Sequence, residues 1–129
     1  MNSYHISKFT DGSYDEAVEL VTARLKEEGF GILTEIDVKA TLKKKIDVDF
    51  RRYVILGACN PHLAHKAMTV EDKIGVYLPC NVLVQETAEG KTEVSAMNPM
   101  VAMAGVENPA LEAVARQVSE ALGRVISGM

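Results

Sequence analysis

Cys59, His62 and His65 follow one another as Cys-x2-His-x2-His, and Cys80 lies 21 residues beyond Cys59. Two thiolates and two imidazoles are the donor set of closed tetrahedral zinc sites, and the same set suits iron or Cu(I). His62 and His65 are three residues apart, so on a helix they share a face. If the strand that begins at Cys80 runs beside a strand that ends at Cys59, all four side chains meet. The spacing lacks the Cys-x2-Cys knuckle of the most specific zinc motifs. A second chemistry belongs to the thiol itself. Cys59 stands just before an expected helix start, where the dipole and free N–H groups favour a thiolate, and a nearby histidine would assist as base. That arrangement suits a thiol-dependent enzyme or a redox sensor, and a Cys59–Cys80 couple requires the two Cα atoms within about 7 Å. In a third reading the cysteines are packed thiols, among the most buried side chains, and the chain is an interaction module without chemistry.

Other patterns carry less. Met97, Met100 and Met103 are spaced by three. A thioether row can hold Cu(I), but such residues more often fill a core or an interface, and Met97–Val106 is a candidate dimer surface. The glycines form no Gly-x-Gly-x-x-Gly and no phosphate loop, so a dinucleotide role has no support. No paired-carboxylate or Ser/His/Asp pattern stands out. The net charge is −4, which argues against a general nucleic-acid binder. The segment from Lys39 to Arg52 nevertheless carries +4, leaving −8 elsewhere. Such a patch either attracts an anion or an acidic partner, or is a solvated helix face and turn.

These residues need elements to hold them. Tyr4, Ile6 and Lys8-Phe9 alternate imperfectly, as a first strand would. Ser13 with Glu16 fits a capping box that opens a helix whose core stripe is Ala17, Val18, Val21 and Leu25 and whose stop is Gly29. Phe30 to Ile36 reads as a strand, and Asp37 caps a short helix with Val38, Leu42 and Ile46 on one side and lysines on the other. Tyr53 to Cys59 is almost wholly apolar, which predicts a central strand covered on both faces. Asn60-Pro61 then starts a helix that runs to about Val70. Cys80 to Glu86 is a strand entered at Pro79, Glu89-Gly90 a hairpin turn, and Thr92 to Ala96 the return. Asn108-Pro109 opens a last helix with Leu111, Val114, Val118, Leu122, Val125 and Ile126 inward. Glu112, Arg116, Glu120 and Arg124 lie outward at i,i+4 spacing.

The order is thus β-α-β-α-β-α-β-β-α, and the hairpin demands antiparallel pairing. This predicts an α+β domain with a mostly antiparallel sheet covered by helices. At 129 residues and 47% hydrophobic, the chain is read as one globular domain, residues 1–129, neither disordered nor a disulfide scaffold. No apolar run approaches the roughly 18 residues of a membrane span. The start lacks a secretory signal, so a reducing cytoplasm is expected.

Ile36-Asp37-Val38-Lys39-Ala40-Thr41-Leu42-Lys43-Lys44-Lys45, Gly57-Ala58-Cys59-Asn60-Pro61-His62-Leu63-Ala64-His65-Lys66-Ala67 and Leu78-Pro79-Cys80-Asn81-Val82 resemble the uncharacterised family known as domain of unknown function 302. The Gly-Ala-Cys-Asn-Pro and Leu-Pro-Cys-Asn stretches are the most specific part. The resemblance implies a small fold akin to the TATA-binding-protein-like class, in a homodimer, and implies no reaction. The expectation is therefore a pocket walled by Cys59, His62, His65 and Cys80 that binds a metal ion, zinc or another transition metal, or a small ligand.

Overall fold

In the computed structural model, which describes residues 3–129, five strands form one antiparallel sheet in the order β1-β5-β4-β3-β2. They are β1 (His5–Thr10), β2 (Gly31–Asp37), β3 (Tyr53–Cys59), β4 (Cys80–Glu86) and β5 (Thr92–Met97). The helices are α1 (Tyr14–Glu27), α2 (Val38–Ile46), α3 (Pro61–Val70), α4 (Pro99–Ala102) and α5 (Pro109–Ser127), with a 3-10 helix at Asp72–Tyr77 between α3 and β4. The α+β order read from sequence is the observed one, with α4 and the 3-10 helix added.

Local chemistry sets the element ends. Ser13 Oγ accepts the Glu16 N–H at 3.2 Å and Glu16 Oε1 accepts the Ser13 N–H at 2.9 Å, a complete capping box. Hydrogen bonding to the carboxylate, from the Ser13 N–H first and then the Ser13 side chain, holds the Glu16 carboxyl below its ordinary pKa. α1 ends with the Phe30 N–H returning to the Leu25 carbonyl and the Gly29 N–H to Lys26, around Gly29 at φ +87°. This is the glycine-dependent Schellman closure. Asn60, Asn98 and Asn108 each precede a proline, and each side chain caps the helix that follows.

Strand alternation sends Val54, Leu56, Ala58, Cys80, Val82, Val84, Val94 and Ala96 to one face, where all are buried. Ala17, Val21 and Leu25 of α1 and the inward stripe of α5 complete this core. Val18 is only partly buried, and Ala115 and Ala121 join the expected stripe of α5. Outside, Arg116 pairs with Glu112 at 3.2 Å, but Arg124 reaches Glu28 on the α1 end rather than Glu120.

Two expectations need correction. β3 is covered on one face only: Val54, Leu56 and Ala58 are buried, whereas Tyr53 and Ile55 on the other face are only partly so. α2 buries none of its residues, and Ile46 of its apolar stripe is 63% exposed. α2 sits in the connection between two neighbouring antiparallel strands, at the β2 edge, where no second layer of this chain reaches it.

Gly57 is the tightest point of the sheet. A Cβ there would run into the Thr34 hydroxyl and stand 2.8 Å from Pro79 Cγ. The proline ring is rigid and cannot step aside. Gly57→Ala should therefore destabilise the fold by about 1–3 kcal/mol, the usual cost of overpacking. Urea denaturation followed by circular dichroism measures it, and an unchanged midpoint would contradict the crowding.

Candidate functional site

β3 runs into α3 through Asn60. Its Oδ1 accepts the Leu63 N–H at 3.2 Å, and its Nδ2 donates to the Glu28 carbonyl at the end of α1, 3.3 Å away. One carboxamide thus caps α3 and fastens it to the α1–β2 turn. Beneath α3 lies a narrow cavity of about 30 Å³. α3 contributes Leu63, Ala64 and Ala67, the sheet contributes Ala58 and Cys80, and α5 closes the floor with Leu111, Val114 and Val118. Cys59, Asn60, Phe30, Leu78, Pro79 and Met103 complete the lining.

Cys59 and Cys80 both border this slot, from neighbouring strands. Ala58 is directly opposite Cys80 in the β3–β4 ladder, so Cys59 is its diagonal neighbour. Both thiols are free; Cys80 is buried and Cys59 half-buried. Burial pushes the Cys80 thiol up to about 11, with a smaller push from the neighbouring Cys59. Cys80 is therefore a protonated, apolar wall at neutral pH. Strand alternation turns Cys59 toward the face opposite Ala58 and Cys80, which is unfavourable for a disulfide between them.

The histidines do not join the thiols, contrary to the four-ligand convergence expected from sequence. His62 and His65 are both solvent-exposed. His62 lies instead in an open groove between α3 and α5 with Glu28, Lys66, Gln117 and Arg124. Among the described residues no group of three or more His, Cys, Asp or Glu is placed to hold a metal ion. The reason is rotational. The face of α3 that meets the sheet is set by Leu63 and Ala67, four apart, and His62 and His65 fall outside that stripe.

The methionine row dissolves too, since Met97 belongs to β5 while Met103 is in the core. Met103 matters in another way, one its sequence context did not signal. A second cavity of about 220 Å³, lined by Pro99, Met100, Ala104, Val106 and Glu112, shares the walls Met103, Leu111 and Ala115 with the slot. The helix α4 that forms it is announced by Asn98-Pro99, the same pair of residue types as Asn60-Pro61 and Asn108-Pro109. Within the basic segment Lys43 pairs with Asp47 and Asp49 at 2.9 and 3.3 Å, Arg52 with Asp15 at 3.0 Å, and Lys39 donates to the Phe50 carbonyl.

The comparisons agree with this architecture. A family model described as domain of unknown function DUF302 matches residues 6–129. The chain is also similar to a solved structure of an uncharacterized conserved protein DUF302 from Bacillus stearothermophilus, at 28% identity over 96% of each chain, with a TM-score of 0.90. No curated protein matches.

The buried thiol has a measurable signature. A thiol kept neutral in the fold, but ionising near its ordinary 9.0 when unfolded, contributes fully below pH 9.0 and loses that contribution as pH rises toward about 11. The denaturation midpoint of the wild type should fall more steeply over this interval than that of Cys80→Ala. Equal slopes would mean that Cys80 is not held neutral by burial.

Proposed function

The chain belongs to the domain of unknown function DUF302 family, matched over residues 6–129, and from that footing we propose that it is a binding domain for a small apolar ligand held beneath α3. The observation that carries this reading is the lining of the slot: aliphatic, proline and Phe30 carbons with the sulfurs of Cys59, Cys80 and Met103, and the single carboxamide, Asn60, already hydrogen-bonded through both of its ends. A charged or strongly polar group would lose its hydration there without compensation. Shape and apolar contact are what such a site can select.

The slot alone has room for about two water molecules. A ligand needs the neighbouring cavity, and Met103 stands between the two. Its unbranched thioether turns at little cost, which is what makes methionine useful at adaptable binding surfaces. With Met103 swung aside, the two cavities join into one channel, apolar in the slot and polar at Glu112, that accepts an unbranched chain with a polar end. The two free thiols fit a reducing compartment, so the reading assigns the domain to the cytoplasm. Among the described residues no helix is long and apolar enough to cross a membrane.

Calorimetric titration with straight-chain alkanols of increasing length tests the proposal. Saturable binding that strengthens with chain length is expected. Ala64→Phe, which fills the slot from α3, should weaken it at least about tenfold, or 1.4 kcal/mol. No binding at any length, or binding indifferent to Ala64→Phe, would sink the reading. Elemental analysis of protein purified without chelators checks the competing metal site. One zinc, iron or copper per chain, lost in the Cys59→Ser, Cys80→Ser double variant, would replace the ligand reading with a thiolate metal centre.

A further inference from the structure

The cavity behind Met103 is apolar inside and acidic at its rim. Pro99, Met100 and Val106 wall it, and among the described residues that line it Glu112 alone is charged. Glu112 is exposed on the first turns of α5, where Arg116 Nη2 donates to its Oε1 at 3.2 Å. A carboxylate accepts several donors at once, so this bond leaves Oε2 able to receive another. The α5 start beside it has nothing for an anion. Pro109 has no N–H, the Ala110 and Leu111 N–H groups donate to Asn108 Oδ1 at 3.1 and 3.4 Å, and the Glu112 N–H donates to the Asn108 carbonyl at 3.0 Å. Helix starts draw anions through such groups; here they are already satisfied. Two more carboxylates lie near. Glu107 follows the wall residue Val106, and Glu71 accepts from Asn108 Nδ2 at 3.2 Å.

We propose that the ligand of this channel is an unbranched primary alkylamine, with its chain beneath α3 and its ammonium on Glu112. The inference rests on the reading of the slot as an apolar ligand site and adds the class of head group. Leu111 and Ala115 are walls of both cavities, and Glu112 follows Leu111 on α5. A chain that passes Met103 therefore emerges beside this carboxylate. The slot, about 30 Å³, restricts the tail to a single narrow chain. An ammonium has three donors and no acceptor, which matches a rim that offers carboxylate oxygens. An alkanoate would bring like charge to Glu112, Glu107 and Glu71 and meet no free N–H at the α5 start. An alkanol would fill the chain site without gaining the ion pair. A pair at an exposed rim changes affinity only severalfold. The chain thus supplies most of the binding, and the head group supplies the selectivity.

Calorimetric titration of the full chain with octylamine, octanol and octanoate, at neutral pH and low salt, tests this. Octylamine should bind once per chain, about threefold tighter than octanol and at least about tenfold tighter than octanoate. Added salt should shrink its lead over octanol. In Glu112→Gln that lead should vanish, and in Arg116→Gln, which removes the competing cation, it should widen. A lead that persists in Glu112→Gln overturns the proposal. So does octylamine binding indifferent to Ala64→Phe, because the ammonium is then drawn to the surface of a chain of net charge −4. Octanol bound as tightly as octylamine overturns the amine assignment and leaves the apolar reading standing. Octanoate as the tightest ligand overturns it in favour of Arg116 as the head-group partner. No binding by any of the three removes both the assignment and the reading beneath it.

Discussion

The Asn60 carboxamide is the joint on which the rest of the site depends. It caps α3, holds the Glu28 carbonyl, and lies against Gly29, where any Cβ would stand 2.9 Å from Asn60 Nδ2. Gly29 is thus required twice, for its left-handed φ and for the space it leaves. One side chain thus ties the end of α1 to the start of α3. The gap between α3 and the sheet is then set by Leu63 and Ala67 on one side and Ala58 and Cys80 on the other. Asn60 spends both of its hydrogen-bonding ends on this work, and so contributes no free polar atom to the slot that it creates.

That division of labour decides the chemistry. The slot is lined mainly by carbon, and in it Cys80 keeps its proton because burial disfavours the thiolate. The two imidazoles, His62 and His65, are on the solvent side of α3. They and the cavity therefore occupy different sides of one short helix. Met103 is the adjustable part of the wall, since a second and larger cavity lies directly behind it.

The open sheet face follows from the same economy of layers. One layer of helices can close only one side of a sheet, and α2, set in the connection between neighbouring strands, buries none of its own residues. Nine residues are too few for a helix to be stable by propensity alone. Its Asp37 cap and the Lys43 pairs with Asp47 and Asp49 hold it at the rim.

Most of the architecture was legible in the residues themselves, because its determinants are local. Ser13 with Glu16, Asp37, the Asn-Pro pairs, Gly29 and the period-two alternation of the strands act within a few positions of where they are written, and they predicted nearly every element boundary. α4 is written just as locally, in Asn98-Pro99, the same pair of residue types that opens α3 and α5. What sequence spacing could not decide was convergence. Cys59, His62 and His65 are close along the chain, but a helix rotates each residue by about 100°, so only packing against the sheet determines which of them face inward. Likewise an apolar strand states that both of its faces want cover and says nothing of whose side chains provide it. Elements and their ends are short-range matters of backbone hydrogen bonding. The placing of Cys59 and Cys80 on neighbouring strands apart from the histidines, the cavity behind Met103 and the bare sheet face are long-range outcomes, fixed only when distant segments are brought together in three dimensions.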